Sequence, residues 1–392
     1  MRILLLFLFF TSVSHASPWK RHTIIPAEKS LARVGADGVR LADVNDDGLF
    51  DVITGWEEGG AVTIALNPGP ENAASLWDTV TVGKVRGVED ALSVDLNGDG
   101  RLDVVSCAEG KLNRVFVHWA PSDPARYMEE SAWKTESFPS TDGRRWMFAE
   151  PLDVNRDGRI DIILGSKNDG AVVAWLQHPV DSERTADWEL HILTQASWIM
   201  SLRAIDLDED GRKDLVYSDR FGESPGIYWL HAPAQVGSPW VRRLIGGSGK
   251  QVMFLSFGNL NGGETTQIIC ATLGGELLFC DSPDSREWAE QSIPLPFGLT
   301  HGKGSAIADV NLDGRVDIVT TAEAQREADD MVGVAWKEST KDGWIDHAIS
   351  DRRGRKFDRI EMIDLDQDGD LDLVTCEEVH NLGVVWYENP TN

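Results

Sequence analysis

The chain has 392 residues, and 64 Asp+Glu against 37 Lys+Arg give it a formal charge of −27. A surface this acidic repels nucleic acid and anionic membranes, which argues against partners of either kind. Four cysteines in so long a chain do not make a disulfide scaffold.

The first sixteen residues read as an export signal. Arg2 precedes an unbroken apolar run from Ile3 to Phe10, and Ser14-His15-Ala16 sets small residues three apart before Ser17. Cleavage after Ala16 fits a secretory signal, and the apolar run is far shorter than the ~20 residues a membrane helix needs. No cysteine follows the cleavage point to carry a lipid, and no later stretch is apolar enough to cross a bilayer. The expected address is secreted or periplasmic, with one folded domain over 17–392.

From there a single unit repeats. Its signature appears first as "DVNDDGLFDV" at 43, then as "DLNGDGRLDV" at 95, "DVNRDGRIDI" at 153 and "DLDEDGRKDL" at 206. A decayed copy, "NLNGGETTQI", stands at 259, followed by "DVNLDGRVDI" at 309 and "DLDQDGDLDL" at 364. The starts lie 52, 58, 53, 53, 50 and 55 residues apart, a period that signals a repeat architecture. Upstream of each copy sits a tryptophan with an apolar residue five positions on: Trp19, Trp77, Trp133, Trp188, Trp240, Trp288 and Trp344. Downstream come two short apolar runs, such as "DIILG" and then "VVAWLQHP". Short β-branched and aromatic runs punctuated by Gly, Asn, Asp and Pro are strand signals.

Each unit thus offers four strands, and seven units point to an all-β, seven-bladed propeller. The last unit stops after its third strand, at "GVVWYENPTN", while the chain begins with a surplus Trp strand, "WKRHTII". That strand is expected to complete the seventh blade. Cys107 and Cys376 end apolar runs and read as buried thiols. Cys270 and Cys280 flank a hairpin turning at Gly274-Gly275, where a cross-strand disulfide stays open.

The signature is a metal loop. In D-x-[DN]-x-D-G-x-x-D, positions 1, 3, 5 and 9 bring oxygen side chains, position 7 its carbonyl, and glycine at 6 allows the sharp turn. Hard, oxygen-rich coordination suits Ca2+, and an EF-hand is excluded because no Glu stands at position 12 and no helices flank the loop. The expected ligands are Asp43, Asn45, Asp47, Asp51 and the Leu49 carbonyl; Asp95, Asn97, Asp99, Asp103 and the Arg101 carbonyl; and Asp153, Asn155, Asp157, Asp161 and the Arg159 carbonyl. The fourth, sixth and seventh loops give Asp206, Asp208, Asp210, Asp214 and the Arg212 carbonyl; Asp309, Asn311, Asp313, Asp317 and the Arg315 carbonyl; and Asp364, Asp366, Asp368, Asp372 and the Asp370 carbonyl. The fifth loop has Asn259, Asn261, Gly263 and Gln267 at these positions and no carboxylate, so it is expected to stay empty.

With "GVVWYENP" and "DLDQDGDLDLVTC" in view, the chain resembles FG-GAP/VCBS repeat propellers, the calcium-loop blades of integrin alpha chains and of many secreted bacterial proteins. The resemblance spans nearly all of the chain after the signal. It implies a calcium-stabilised propeller that binds or adheres, and it does not fix an activity.

If the metal loops occupy one face, the other is built from the connections into strand one and between strands two and three. Candidate ligand contacts there are Trp56, Arg86, Trp146, Glu150, Trp198, Lys250, Lys303 and Arg355. Asp90, Lys356, Glu57, Lys111, Arg114, Asp219, Arg220, Glu377 and Glu378 share those connections. Trp56, Trp146 and Trp198 stand outside the repeated tryptophan slots, and aromatics beside Arg and Lys suit an anionic glycan or carboxylated ligand. The reading favoured is a non-catalytic binding or adhesion module for a protein or glycan. The alternative is a carbohydrate-active enzyme, a polysaccharide lyase or a sugar dehydratase similar to aldos-2-ulose dehydratase. Its site would lie at the channel mouth, with His301, His380, Arg144, Arg145 and Arg359 as catalytic candidates.

Overall fold

Each repeat becomes four antiparallel strands, and seven such sheets stand around a central channel. The computed structural model describes residues 19–180, 184–260, 266–282, 287–323 and 332–391. The export signal, Asn261 and Gly263 lie outside these residues. Blade one is Ala36–Ala42, Asp51–Trp56, Ala61–Leu66 and Asp78–Gly83, paired in that order, and the next five blades repeat it. Blade seven is Phe357–Ile363, Asp372–Glu377 and Gly383–Glu388, and its fourth strand is the N-terminal Lys20–Ile25. Lys20 pairs with Glu388 and Ile25 with Val384, so the two ends of the chain close the ring in one ladder, as the phase of the repeats requires.

Burial follows the strand's place in the blade. The second strand is flanked by strands on both edges and by neighbouring blades on both faces, and it reads as a continuous apolar run rather than an alternation. Asp51–Trp56, Asp103–Ala108 and Asp317–Ala322 are buried at every position. The fourth strand lies at the rim, and four of the six residues of Val241–Gly246 are exposed.

The recurrent tryptophans and histidines have a shared structural task. The third-strand Trp386, Trp175 and Trp336 pair in register with His22, His191 and His347 on the rim strand. The rings lie 4.5, 4.9 and 4.4 Å apart. In blade four Arg243 takes the same slot, 5.2 Å from the Trp229 ring. His118 is wholly buried between Ser106 Oγ and Thr135 Oγ1, and burial pulls it down to about 3, so it is neutral. These are packing residues.

Cys270 pairs with Leu278 and Cys280 with Ile268, so the two cysteines stand diagonally and not opposite one another. All four thiols are buried and free. Among the described residues no helix is long and apolar enough to cross a membrane.

Candidate functional site

Two sets of side chains depart from what packing alone needs: the six acidic loops on one face, and a charged ring at the channel mouth on the other.

The loops share one backbone. Position 4 is left-handed in each, at Asp46, Gly98, Arg156, Glu209, Leu312 and Gln367, and so is the glycine at position 6, from Gly48 (φ 85°) to Gly369 (φ 102°). Position 1 closes the turn: Asp43 accepts from the Asp47 and Gly48 amides at 3.0 and 2.8 Å, and Asp309 from Asp313 and Gly314 at 3.0 and 2.9 Å. Position 9 ties the loop to the blade. Asp51 is fully buried and accepts from Val44 N at 2.9 Å and from Asn67 N, beyond the third strand, at 2.8 Å. Asp103, Asp161, Asp317 and Asp372 repeat both contacts. In blade five Gln267 makes the first of them, to Leu260 N at 2.9 Å, which keeps the turn without the charge.

These hydrogen bonds do not exhaust the oxygens. Asp208, Asp364 and Asp366 each bury one carboxylate oxygen that accepts no hydrogen bond. Oxygens of Asp206, Asp208 and Asp210, and of Asp364, Asp366 and Asp372, lie within 4.8 Å of one another. Buried acceptors with no donor, crowded among like charges, fit a hard cation. His231, at the end of the third strand of blade four, has its Nε2 3.1 Å from Asp208 Oδ2.

At the other face the blade register aligns seven first strands. Ala36, Val88, Trp146, Ile199, Val252, Gly302 and Phe357 each pair with the end of the second strand. Around the ring the next residue is Asp37, Glu89, Met147, Met200, Met253, Lys303 and Asp358. All but Met253 line a cavity of about 280 Å3 at the mouth. Glu57, Lys167, Arg220 and Glu378, at the ends of the second strands or just after them, complete its rim together with Trp198.

The charges there are mostly matched. Lys167, 8 % exposed, donates to Glu89 at 2.9 Å and lies 2.7 Å from Glu109; Lys303 is 3.1 Å from Asp358, and Lys356 pairs with Glu378. Despite burial, Lys303 and Lys356 hold the Asp358 carboxyl below its usual range. Asp37 behaves oppositely. Burial first, and then the Asp358 charge, push it well above the usual carboxylate range, against the opposing charge of Lys356. Burial likewise raises Glu57 and Glu89. Below the mouth, Arg40 grips Asp90 with two hydrogen bonds of 2.8 and 2.6 Å, and Arg359 reaches the same carboxylate at 3.3 Å. Glu150 is 3.5 Å from Arg40, so this network joins blades one, two, three and seven across the channel.

The expected ligand contacts divide accordingly. Trp198, Lys303 and Arg359 line the cavity, as do Asp90, Glu57, Arg220, Lys356 and Glu378. Trp56 and Trp146 do not serve as ligand contacts: both are fully buried, with their indole N–H groups bonded to Thr63 Oγ1 and the Thr141 carbonyl. Each departs from the usual tryptophan slots because it fills the interior between blades. Lys250 is occupied by Glu276 and Glu290 at 3.0 and 3.1 Å. Arg86, Glu150, Arg355, His301, His380, Arg144 and Arg145 lie outside the cavity lining. Asp37, Glu89, Asp358, Met147, Met200 and Phe254 were missed. Aligning the seven first strands and reading their second residue would have found most of them.

The FG-GAP-like repeat family matches residues 43–106 and 153–217, which carry the first four loops. No curated protein matches the chain. Among solved structures, BBS1N from a crystal structure in complex with ARL6DN, soaked with mercury, is similar over 95% of this chain and 99% of that chain. Its TM-score is 0.52 at 8% identity, a likeness of fold alone.

Proposed function

From the premise that this chain carries FG-GAP-like repeats in a seven-bladed β-propeller, we propose that it is an exported, calcium-stabilised binding module whose ligand seats at the channel mouth. The fold points to a binding role in general; the mouth supplies the location. One observation carries it: a fold of seven equivalent blades has no need of Asp37, Glu89, Lys303 and Asp358 at a ring position where two other blades place methionine. Buried charges weaken a fold unless well paired, so their presence is best accounted for by a ligand. Trp198, with Lys167 and Arg220 within 4.9 and 5.2 Å of its ring, adds an aromatic platform of the kind glycans and peptides stack upon.

Calcium would be held by the six carboxylate loops and would pin the strand-to-strand turns, leaving blade five without an ion. Export rests on the N-terminal pattern of Arg2, the apolar run and Ala16. An enzyme acting on sugars has one feature in its favour, the buried Glu89 carboxyl, raised by its burial and standing in the cavity beside Lys167. His301 and His380 do not line the cavity with it.

The test is a glycan and peptide array probed with the wild-type chain and with Trp198→Ala, followed by an assay for unsaturated products on any polysaccharide retained. Binding lost in Trp198→Ala, with an unchanged melt, supports the mouth. A ligand held equally well by both proteins rules that location out. Turnover of a bound polysaccharide would overturn the non-catalytic reading.

A further inference from the structure

In the third strand, the residue facing the position-9 aspartate of the loop differs from blade to blade. In blades three, six and seven it is Gln177, Glu338 and Glu388, each held by a rim histidine at 2.9, 2.7 and 2.6 Å. Blade four has His231 there, and its rim slot is taken by Arg243, which lies over the Trp229 ring. Without a rim partner of that kind, His231 meets the loop instead. Its Nε2 is 3.1 Å from Asp208 Oδ2 and 3.8 Å from Asp210 Oδ2, and the Trp229 ring packs against the imidazole edge-on at 5.1 Å. Close as it is, this buried nitrogen has no hydrogen-bond partner, so the contact with Asp208 lacks the alignment of a hydrogen bond. One atom each of Asp208, Asp214 and His231 falls within 4.8 Å of the other two, and among the described residues no other such group includes a histidine.

Asp214 gives a separate sign. It is 1% exposed, and its Oδ1 accepts from Ala232 N at 2.7 Å, while its Oδ2 accepts no hydrogen bond. In the other five intact loops that second oxygen accepts from an amide of the turn, as Asp51 does from Val44 N at 2.9 Å. The neighbouring groups do not set blade four apart. The Trp229 indole beside Asp214 has its counterpart in Trp175 beside Asp161. Arg212 pairs with Asp210 as Arg101 does with Asp99 and Arg315 with Asp313.

We infer that the fourth loop is a mixed nitrogen–oxygen site that takes Zn2+ in preference to Ca2+, with His231 Nε2 as a ligand beside Asp208 and Asp214. This rests on the acidic loops being metal sites. A protonated His231 would answer one oxygen of Asp208 and leave Asp208 Oδ1 and Asp214 Oδ2 buried without donors. Ca2+ would meet the oxygens and give the imidazole no part, since it takes oxygen ligands. Zn2+ uses all of them, because imidazole nitrogen and carboxylate oxygen both suit it. Two ligands bonded at about 2.0–2.1 Å to a tetrahedral ion stand roughly 3.3 Å apart, near the 3.1 Å between His231 Nε2 and Asp208 Oδ2.

The probe is Zn2+ itself, added to the full chain in millimolar Ca2+ and followed by mass spectrometry of the bound metals and by titration calorimetry. One equivalent of Zn2+ is expected to enter and one Ca2+ to leave, with the other loops keeping their calcium. His231→Gln should weaken Zn2+ by at least about tenfold, while its calcium content and its melt in zinc-free buffer match the wild type. Co2+ supplies a second readout, a visible absorption that saturates at one equivalent in the wild type and is absent from His231→Gln. Should that variant melt early, the exchange in the wild type still decides. A chain that keeps all its calcium in excess Zn2+ overturns the inference and leaves the loops as calcium sites. So does an equivalent of Zn2+ that His231→Gln holds equally well, which puts the ion elsewhere. A chain that binds neither ion removes the loops as metal sites altogether.

Discussion

Withdrawing calcium should loosen the whole ring at once, because the loops tie strands one and two together in six of the seven blades. In each intact loop the buried aspartate at position 9 accepts from an amide at or just after the end of strand three, and in at least five of them it also accepts from the backbone of the turn. Neutralising it therefore steadies three strands together. At millimolar free calcium, a site of about 10⁻⁴ M adds about 1.4 kcal/mol, and six add roughly 8 kcal/mol. An unfolding entropy of about 2.1 cal/mol/K per residue gives roughly 0.8 kcal/mol/K for a chain of this length, so EGTA should lower the melting midpoint by about 10 °C. The assay is differential scanning calorimetry in 1 mM calcium (about the extracellular level) against excess EGTA, with the metal content counted by mass spectrometry. The four-carboxylate loops of blades four and seven, where oxygens of Asp208, Asp364 and Asp366 lack donors, should release their ions last. A midpoint unmoved by EGTA, or a folded chain that carries no calcium, refutes the reasoning.

Asp37→Asn should raise the melting midpoint of the ligand-free protein by about 1–3 °C, since it removes about 1–2 kcal/mol of unrelieved charge. The Asp37 carboxyl is raised by folding, so it burdens the native state only once ionised. The gain should therefore be absent near pH 4 and grow as the pH rises, and melts at pH 4 and pH 8 check the sign. Trp146→Ala should cost about 3–5 kcal/mol, read by denaturant titration, because the indole is fully buried and bonded to the Thr141 carbonyl. Thr23→Pro, which breaks the closing ladder opposite Val385, should open the ring to limited proteolysis at its two ends while leaving blades two to five resistant.

The architecture was legible because its causes are periodic. Loop, glycine and tryptophan recur at fixed offsets, and a strand with both faces covered writes itself as a run such as "DVITGW". The closure by "WKRHTII" followed from the phase of the repeat alone. The site was harder to read for the same reason. Tryptophans outside the repeated slots looked like contacts, yet Trp56 and Trp146 fill space between blades, while Trp198 reaches the cavity. Nothing in their local sequence separates these outcomes, because burial there depends on the neighbouring blade. The lysines looked like an anion site because charge along a chain does not reveal pairing across a ring. Lys303 meets Asp358 from 55 positions away.

A repeat fold offers its own control for function. Whatever the blades share is needed by the blade, and whatever one blade does alone is not. The position-9 aspartates are shared and structural even before any ion is considered, since they bind backbone amides. The residue after the aligned strand-one position is not shared: it is acidic in blades one, two and seven, basic in six and methionine in three and four, while in blade five Met253 is buried and Phe254 lines the cavity. Methionine is what the position takes when only filling is required, being apolar and adaptable. The charged half must then answer to something outside the blade. Arg40, Asp90 and Arg359 satisfy one another beneath the mouth and need nothing further. Asp37 and Glu57 feel Lys356 only from beyond ion-pair distance, and Arg220 Nε and Trp198 Nε1 line the same cavity without acceptors, so the mouth is where the blades leave polar groups unsatisfied.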